Sequence, residues 1–307
     1  MRIGLTYNLK PDGATGDRFE EFDSIDTIES LEGALRANGH DPVRLGWGME
    51  MLDALAREGV DGVFNIAEGI GGRGRESQVP ATLEMLGIPC TGSDAVAIGI
   101  TLDKALAKLL AKANGIPTAP WAVSEAGGLR YPLFAKPSCE GSSMGITATS
   151  RCENEEQLAV AIERLLPYGP VLVEEFLPGD EYTVGIVDGE VIGVMQIVPR
   201  AADGPFIYSI EVKRDYRNRV DYRFIDAPDV ARLALDVWQA FGLRDVARVD
   251  VRRDRDGVPN FVEVNPLPGV HPVNSDLIIL AKGMGWTYEQ VIGRVIDAAA
   301  RRWNASR

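Results

Sequence analysis

The sequence predicts an α/β unit at its N-terminus, followed by α+β regions built from hairpins and helices. Three observations carry that expectation. The chain has 307 residues, and at roughly 150 per domain that is enough for two domains or three small ones. Over residues 1–95, short apolar runs alternate with helical patterns, as a mainly parallel sheet requires. Further on, apolar runs are paired across Asp188-Gly189 and across Asp256-Gly257, the turn chemistry of antiparallel hairpins.

In chain order, strands are expected over residues 2–7, 42–47, 60–66 and 88–91. Helices are expected between them over 25–38, 50–57 and 78–86. Gly39 and Gly87 stand where left-handed C-caps would end the first and last of these. Thr101-Leu102-Asp103 is an N-cap signal. After it Leu106, Leu109, Leu110 and Ala113 fall at helical spacing and predict one buried stripe, closed by Gly115 and Pro117. Strands over 121–124 and 132–136, a glycine- and serine-rich loop and a strand over 146–149 follow. A helix over 153–166 should bury Leu158, Ala161, Ile162 and Leu165, before a strand over 171–176. The hairpin 181–198 leads into a charged, irregular stretch, 200–223, long enough for a functional loop. A helix over 230–241, a second hairpin over 246–265 and a helix over 288–303 complete the chain.

Composition narrows the function. Lys and Arg number 32 against 45 Asp and Glu, a net charge of −13. That balance argues against nucleic acid or an anionic membrane as partner, since both need a basic face. No apolar run approaches the ~18 residues of a membrane span, and Met1 to Tyr7 reads as a strand, not a signal peptide. Cys90, Cys139 and Cys152 form no CxxC pair, which fits reduced thiols and a cytoplasmic location. With only two histidines, His40 and His271, any metal would be held mainly by oxygen, favouring magnesium, manganese or calcium.

The second hairpin is the most informative segment. Strand alternation allows Val249, Val251, Val262 and Val264 to share one face, leaving Arg248, Asp250, Glu263 and Asn265 on the other. Three oxygen-bearing side chains beside an arginine make a hard-cation site next to an anion-binding group, suited to a nucleotide–metal complex. A half-exposed hairpin with a solvated charged face would give the same alternation. Pro266-Leu267-Pro268-Gly269 would add a rigid wall at its end.

Lys104 sits in a first helical turn, where the dipole disfavours a cation, so a bound anion would offset that cost. Lys108 and Lys112 continue its row, as they would on a solvated face. Lys136 ends an apolar strand and meets residues 137–145, whose small side chains could bring N–H groups and hydroxyls against phosphate. Gly141-Ser142-Ser143-Met144-Gly145 also fits a nucleophile elbow, but a strand is expected after it where that motif needs a helix. Gly69-Ile70-Gly71-Gly72-Arg73-Gly74 fits a dinucleotide fingerprint, but does not follow the first strand and does not open directly into a helix. Glu174 and Glu175 end a strand, and alternation aims only one of them into a given cleft.

Taken as an ordered series, these segments resemble the D-alanine–D-alanine ligases of the ATP-grasp superfamily, nearly end to end. The matching motifs are Val63-Phe64-Asn65, Cys90-Thr91-Gly92-Ser93, Asp103-Lys104, the run from Lys136 to Gly145, and Glu174 with Phe176-Leu177, Gly179 and Glu181. Arg248-Val249-Asp250-Val251 and Glu263-Val264-Asn265-Pro266 with Pro268-Gly269 complete the set. The resemblance implies an N-terminal α/β domain (1–95), a central ATP-grasp subdomain (96–179) and a C-terminal ATP-grasp and metal-binding domain (180–307), with ATP clamped between the second and third. It implies that Lys104 and Lys136 contact phosphates under a flap carrying Ser142 and Ser143. Glu174 would meet the adenine amino group, the backbone of Glu175, Phe176 and Leu177 would line the base pocket, and Glu181 would bind the ribose. Asp250, Glu263 and Asn265 would hold two magnesium ions, with manganese an alternative. Arg248 would face the tetrahedral intermediate and Lys213 would cover the γ-phosphate.

On the substrate side, Glu20 (or its neighbour Glu21) would take the first ammonium, and Glu68, Gly269 and Ser275 would face the amino-acid substrates. The implied reaction is ATP-dependent carboxylate–amine ligation through an acyl phosphate, making D-alanyl-D-alanine for peptidoglycan or another dipeptide or amide. Homodimers are usual in that family. The rival from another class is an ATP-binding regulatory or interaction protein without ligase chemistry. The chain departs from the usual ligase pattern on the amino-acid side: Glu68 stands for histidine, Arg214 for tyrosine, and Asp276 for an apolar residue.

Overall fold

The computed structural model describes residues 1–14, 19–200, 206–209, 211–212 and 215–305. Strands β1 (Arg2–Thr6), β2 (Asp41–Gly46) and β3 (Gly62–Asn65) form a parallel sheet in the order β2-β1-β3. Ile3 to Thr6 are all buried, as in a strand covered on both faces. Helix α1 (Ile25–Ala37) is capped by the Ser24 hydroxyl, which accepts from the Thr27 N–H. Helices α2 (Met49–Arg57) and α3 (Gln78–Met85) lie close to the expected segments. The expected strand at 88–91 is only a single bridge, Val63 to Cys90. Pro89 has no N–H to extend it, and Gly92 turns the chain at φ +84°.

The second sheet is antiparallel, ordered β4-β7-β5-β6. Its strands are β4 (Trp121–Val123), β5 (Leu133–Pro137), β6 (Arg151–Cys152) and β7 (Val171–Glu175). Helix α6 (Glu155–Leu165) packs on it through Leu158, Ala161 and Leu165, with Ile162 only partly buried. The strand expected over 146–149 does not form. Ser142, Ser143 and Gly145 all take positive φ, which breaks the extended course, and a 3₁₀ turn at Ala148–Ser150 follows.

The third sheet runs β10-β9-β8-β11-β12, every neighbouring pair antiparallel. Its members are β8 (Glu181–Val187), β9 (Glu190–Pro199), β10 (Val220–Phe224), β11 (Val246–Arg253) and β12 (Pro259–Asn265). The charged stretch expected to be irregular therefore ends in a helical turn, Tyr216–Arg219, and an edge strand. Beneath the sheet lie the helix Pro228–Ala240 and two helices in sequence, α4 (Ala95–Leu102) and α5 (Lys104–Ala113). The sequence Ala95-Val96-Ala97-Ile98-Gly99-Ile100 of α4 has apolar residues all round and so carries no periodic signal.

Two packing expectations are overturned, both at the future site. In α5 the buried face is Lys104, Ala107, Lys108 and Ala111, while Leu109 is 56% exposed. Ion-pair partners for the two lysines outweigh burial of the leucines and set the helix's rotation. In the β11–β12 hairpin a bulge after Asp250 pairs Val251 with Phe261, so Phe261 and not Val262 joins the apolar face.

The C-terminal helix Tyr288–Ala305 packs back onto the first sheet, where Val291, Ile292, Val295 and Ile296 share a core with Ile3, Leu5 and Leu31. Each fully buried side chain of this kind contributes about 1.5–3 kcal/mol. The indole of Trp303 closes over Gly62, where any Cβ would collide with the ring, and donates to the Cys90 carbonyl at 3.2 Å. Among the described residues no helix is long and apolar enough to cross a membrane.

Candidate active site

Two cavities meet at the polar face of β11 and β12. Register puts Arg248 opposite Asn265 and Asp250 opposite Glu263. Alternation then turns all four side chains the same way. Glu263 lines both cavities, Asp250 the first, and Arg248 and Asn265 the second. Arg248 donates through Nε and Nη2 to Asp250 at 3.2 and 2.9 Å, and its Nη1 lies 3.8 Å from Asp276. Burial opposes its charge, but Asp250 and Asp276 more than compensate and raise its proton affinity. Asp250 also accepts from the Thr183 hydroxyl at 2.7 Å.

The first cavity has a cationic floor and an aromatic shelf. Glu174, 7% exposed, bridges two buried lysines: Lys136 Nζ at 2.7 Å on one oxygen and Lys108 Nζ at 2.7 Å on the other. Burial alone would raise the Glu174 carboxyl, but the two ammonium groups hold it down at about 2. Its side-chain oxygens are thus both engaged by cations, a contact the sequence reading did not anticipate. Phe176 is flanked by the guanidinium groups of Arg151 and Arg252, each 4.9 Å from the ring centre. Arg252 also pairs with Glu181 at 3.2 Å. The Glu175 carboxylate is held by Arg130 at 2.8 Å, and Leu177 completes the wall.

The loop after β5 spans both cavities. Ser142 borders the second, and Ser143 the first, both at positive φ. Ser143 donates to the Tyr208 carbonyl at 3.1 Å, tying this loop to the segment 206–209. The Tyr208 hydroxyl meets that of Tyr222 at 2.6 Å and donates to Asp276 at 3.4 Å.

The second cavity is charged at both ends. Lys104 donates to the Glu140 carbonyl at 2.6 Å and lies 3.4 Å from Glu263. At the far end Glu21, Glu68 and Glu76 bring carboxylate oxygens within 4.8 Å of one another. Buried Arg75 binds both oxygens of Glu21, at 2.8 and 3.0 Å, and donates to the Cys139 carbonyl at 2.7 Å. Burial, with Glu21 adding to it against Arg75, pushes the Glu76 carboxyl up to about 7; burial, Glu76 and Glu21 raise Glu68 well above the usual range.

Of the two N-terminal glutamates, Glu21 lines this cavity; Glu20, expected there, is outside its wall and faces Lys10 at 3.9 Å. Gly269 lines it as well. Ser275 stands behind Gly269, where a Cβ would lie 2.9 Å from its hydroxyl, and accepts from the His271 N–H at 2.8 Å. Lys213 lies outside the described residues. The Nδ1 of His271 accepts from the Val273 and Asn274 N–H groups, closing its own turn. Sequence reasoning missed Lys108, Arg75, Glu76 and Tyr208. The i+4 row from Lys104 and the adjacent Arg75-Glu76 pair were the available signals.

The donors at the junction fit a hard divalent cation: Asp250 and Glu263 supply carboxylates and Asn265 an amide oxygen, with its Nδ2 buried and unpaired. Chemically, the first cavity suits a flat ring with a polyanion, and the second suits a zwitterion.

Residues 108–297 match the family described as "D-ala D-ala ligase C-terminus". A D-alanine–D-alanine ligase of Glaesserella parasuis serovar 5 is 36% identical over 294 residues, covering 90% of this chain and 93% of that protein. One of Actinobacillus pleuropneumoniae serotype 5b is 35% identical over 291 residues, with 90% and 93% covered. The solved structure of D-alanine–D-alanine ligase from Bacillus anthracis superposes with a TM-score of 0.79 at 25% identity, covering 100% of each chain.

Proposed function

The chain belongs to the D-alanine–D-alanine ligase family, and from that premise we propose that it is an ATP-dependent carboxylate–amine ligase acting on amino acids. The product is D-alanyl-D-alanine or the dipeptide or amide of a close paralogue. The observation that carries the reading is the convergence of Arg248, Asp250, Glu263 and Asn265 at the junction of two cavities, one floored by Lys136 and the other by Lys104.

In this account the first cavity holds ATP, its base on the Phe176 shelf and its phosphates toward Lys136 and Lys104. Lys108 neutralises Glu174 so that Lys136 keeps charge for the phosphates. Because both Glu174 oxygens face lysines, the adenine amino group is read by backbone near Glu175 to Leu177. Glu181 takes the ribose. Asp250, Glu263 and Asn265 hold magnesium, which when bound screens charge on the transferring phosphoryl group.

The acid in the second cavity attacks the γ-phosphorus through a carboxylate oxygen, and ADP leaves. An amine then attacks the acyl carbon, giving up one proton, and phosphate departs with the oxygen it received. Arg248 donates to the oxyanion that develops in that step. Ser143, latched to Tyr208, keeps water from the acyl phosphate, which would otherwise hydrolyse.

The test is phosphate release from ATP with a panel of D- and L-amino acids, followed by product mass spectrometry. Stimulated release with an ATP-dependent dipeptide or amide supports the proposal. Release that no amino acid or small carboxylate stimulates refutes it.

A further inference from the structure

Tyr208 touches both halves of the site. Its main chain faces the nucleotide cavity: the Tyr208 carbonyl accepts from the Ser143 hydroxyl at 3.1 Å, and two residues earlier the Phe206 carbonyl accepts from Arg252 at 3.0 Å. Its side chain reaches the other way, to Asp276, and Asp276 in turn faces Arg248.

Each link uses a different atom, so the contacts run in series and do not compete. The hydroxyls of Tyr222 and Tyr208 are 2.6 Å apart, and Tyr208 donates to Oδ1 of Asp276 at 3.4 Å. With one proton on each hydroxyl, Tyr222 is then the donor to Tyr208. Burial, with Asp276 adding to it, pushes the Tyr208 hydroxyl up and keeps it a donor. Oδ2 of Asp276 is turned to Nη1 of Arg248 at 3.8 Å. That nitrogen is the arm of the guanidinium that Asp250 leaves open, since Asp250 takes Nε and Nη2. At 3.8 Å Asp276 attracts Nη1 but accepts no hydrogen bond from it, so its N–H groups stay available to an oxyanion.

The two ends of this series are held by packing. Tyr222 lies in β10 and stacks on Tyr216 with ring centres 5.6 Å apart. Asp276 opens the helix Asp276–Gly283, whose Leu277, Ile278 and Leu280 are at most 1% exposed. Tyr208 joins these ends to the loop after β5.

We propose that Asp276 is a positioning residue for Arg248 and that Tyr208 sets it. The Tyr208 hydroxyl fixes one carboxylate oxygen of Asp276, and the other oxygen directs the open arm of Arg248. The carbonyl of the same tyrosine latches the Ser143 loop, so sealing the nucleotide cavity and readying the oxyanion donor are one event. This rests on the ligase reading above for what Arg248 does, whereas the tie from Ser143 to Asp276 stands on the contacts themselves. An aspartate in a first helical turn is favoured by the dipole alone, so the test must separate that role from this one.

Tyr208→Phe deletes the hydroxyl and leaves the carbonyl for Ser143. Asp276→Asn keeps an acceptor oxygen for Tyr208 and removes the charge facing Arg248. Each should lower kcat for product formation roughly 10-fold, the size of one hydrogen bond to a charged group, with KM for ATP within about 3-fold. The two combined should be no more than about 2-fold slower than Asp276→Asn alone. On an Arg248→Lys background, which has no open arm to direct, Asp276→Asn should change kcat less than about 2-fold; a loss of packing would carry over in full. With the β,γ-imido analogue of ATP and magnesium present, amide hydrogen exchange over residues 137–145 should quicken about 3-fold or more in Tyr208→Phe and hold in Asp276→Asn. Circular dichroism reports the fold, and Asp276→Asn decides by itself should Tyr208→Phe not fold.

An unchanged kcat in Asp276→Asn, or losses that add across the pair or persist on Arg248→Lys, overturns the inference and leaves the ligase proposal standing. A parent protein that forms no product with any acid refutes the ligase reading, and exchange then decides. Faster exchange in Tyr208→Phe supports the tie, and unchanged exchange overturns it.

Discussion

Replacing Lys108 by methionine probes a residue that touches no proposed substrate. Its side chain is fully buried, with the ammonium 2.7 Å from Glu174 and donating to the Thr118 hydroxyl at 2.7 Å. Methionine fills a similar volume but removes one cation from a buried ion pair, which costs about 3–5 kcal/mol when the partner is stranded. Lys136 remains on Glu174's other oxygen, so about 3 kcal/mol is expected. The loss also depends on pH. Glu174 titrates at about 2 in the fold against 4.5 ordinarily, so its contribution of about 3 kcal/mol is present above pH 4.5 and lost as pH falls toward 2.

A second consequence reaches the nucleotide. Two 2.7 Å contacts across one carboxylate place Lys108's charge at most about 8 Å from that of Lys136. A phosphate in contact with Lys136 then lies about 11 Å from Lys108, where in an effective dielectric of about 20 a unit charge is worth about 1.5 kcal/mol, or roughly 10-fold in affinity for an anion. Urea denaturation at pH 7 and at pH 3, with ATP titrations at pH 7, measures both effects. The double variant Lys108→Met with Glu174→Gln should recover stability, since both partners of the pair are then gone. A variant within about 1 kcal/mol of the parent, with unchanged ATP affinity, would refute the bridging role.

Arg248→Lys keeps a charge between Asp250 and Asp276 but loses the fork, so kcat should fall roughly 100-fold or more while ATP affinity holds in titrations; weakened nucleotide binding would count against the oxyanion role. Glu263→Gln should lower kcat more than about 100-fold without recovery at saturating magnesium, and near-normal steady-state rates would exclude it from the metal site. Ser143→Ala removes the bond to Tyr208, worth about 1 kcal/mol. Phosphate released per dipeptide formed should then rise about 5-fold, and strict one-to-one coupling would mean that this latch does not exclude water.

Much of this architecture was readable from residue order. The cap at Asp103 and the Asp188-Gly189 turn lie in local chemistry, and the parity of Arg248, Asp250, Glu263 and Asn265 follows from strand alternation. What escaped depends on tertiary partners. The leucines of α5 looked like a buried stripe because nothing local says that Glu174 and Glu263 lie across from Lys108 and Lys104. Val262 looked inward because a bulge cannot be read from a run of alternating residues. Helix α4 lacks a polar face to mark its period, and the acidic end of the second cavity joins residues 21, 68 and 76 only through the fold.

The central claim, that a carboxylate is activated by transfer of the γ-phosphoryl group, is tested most directly by oxygen transfer. The acid substrate is labelled with heavy oxygen in its carboxylate, turned over with unlabelled ATP, and the released phosphate is weighed by mass spectrometry. The account predicts one heavy oxygen in each phosphate formed with product. Unlabelled phosphate, with the label retained in full by the product, would contradict it.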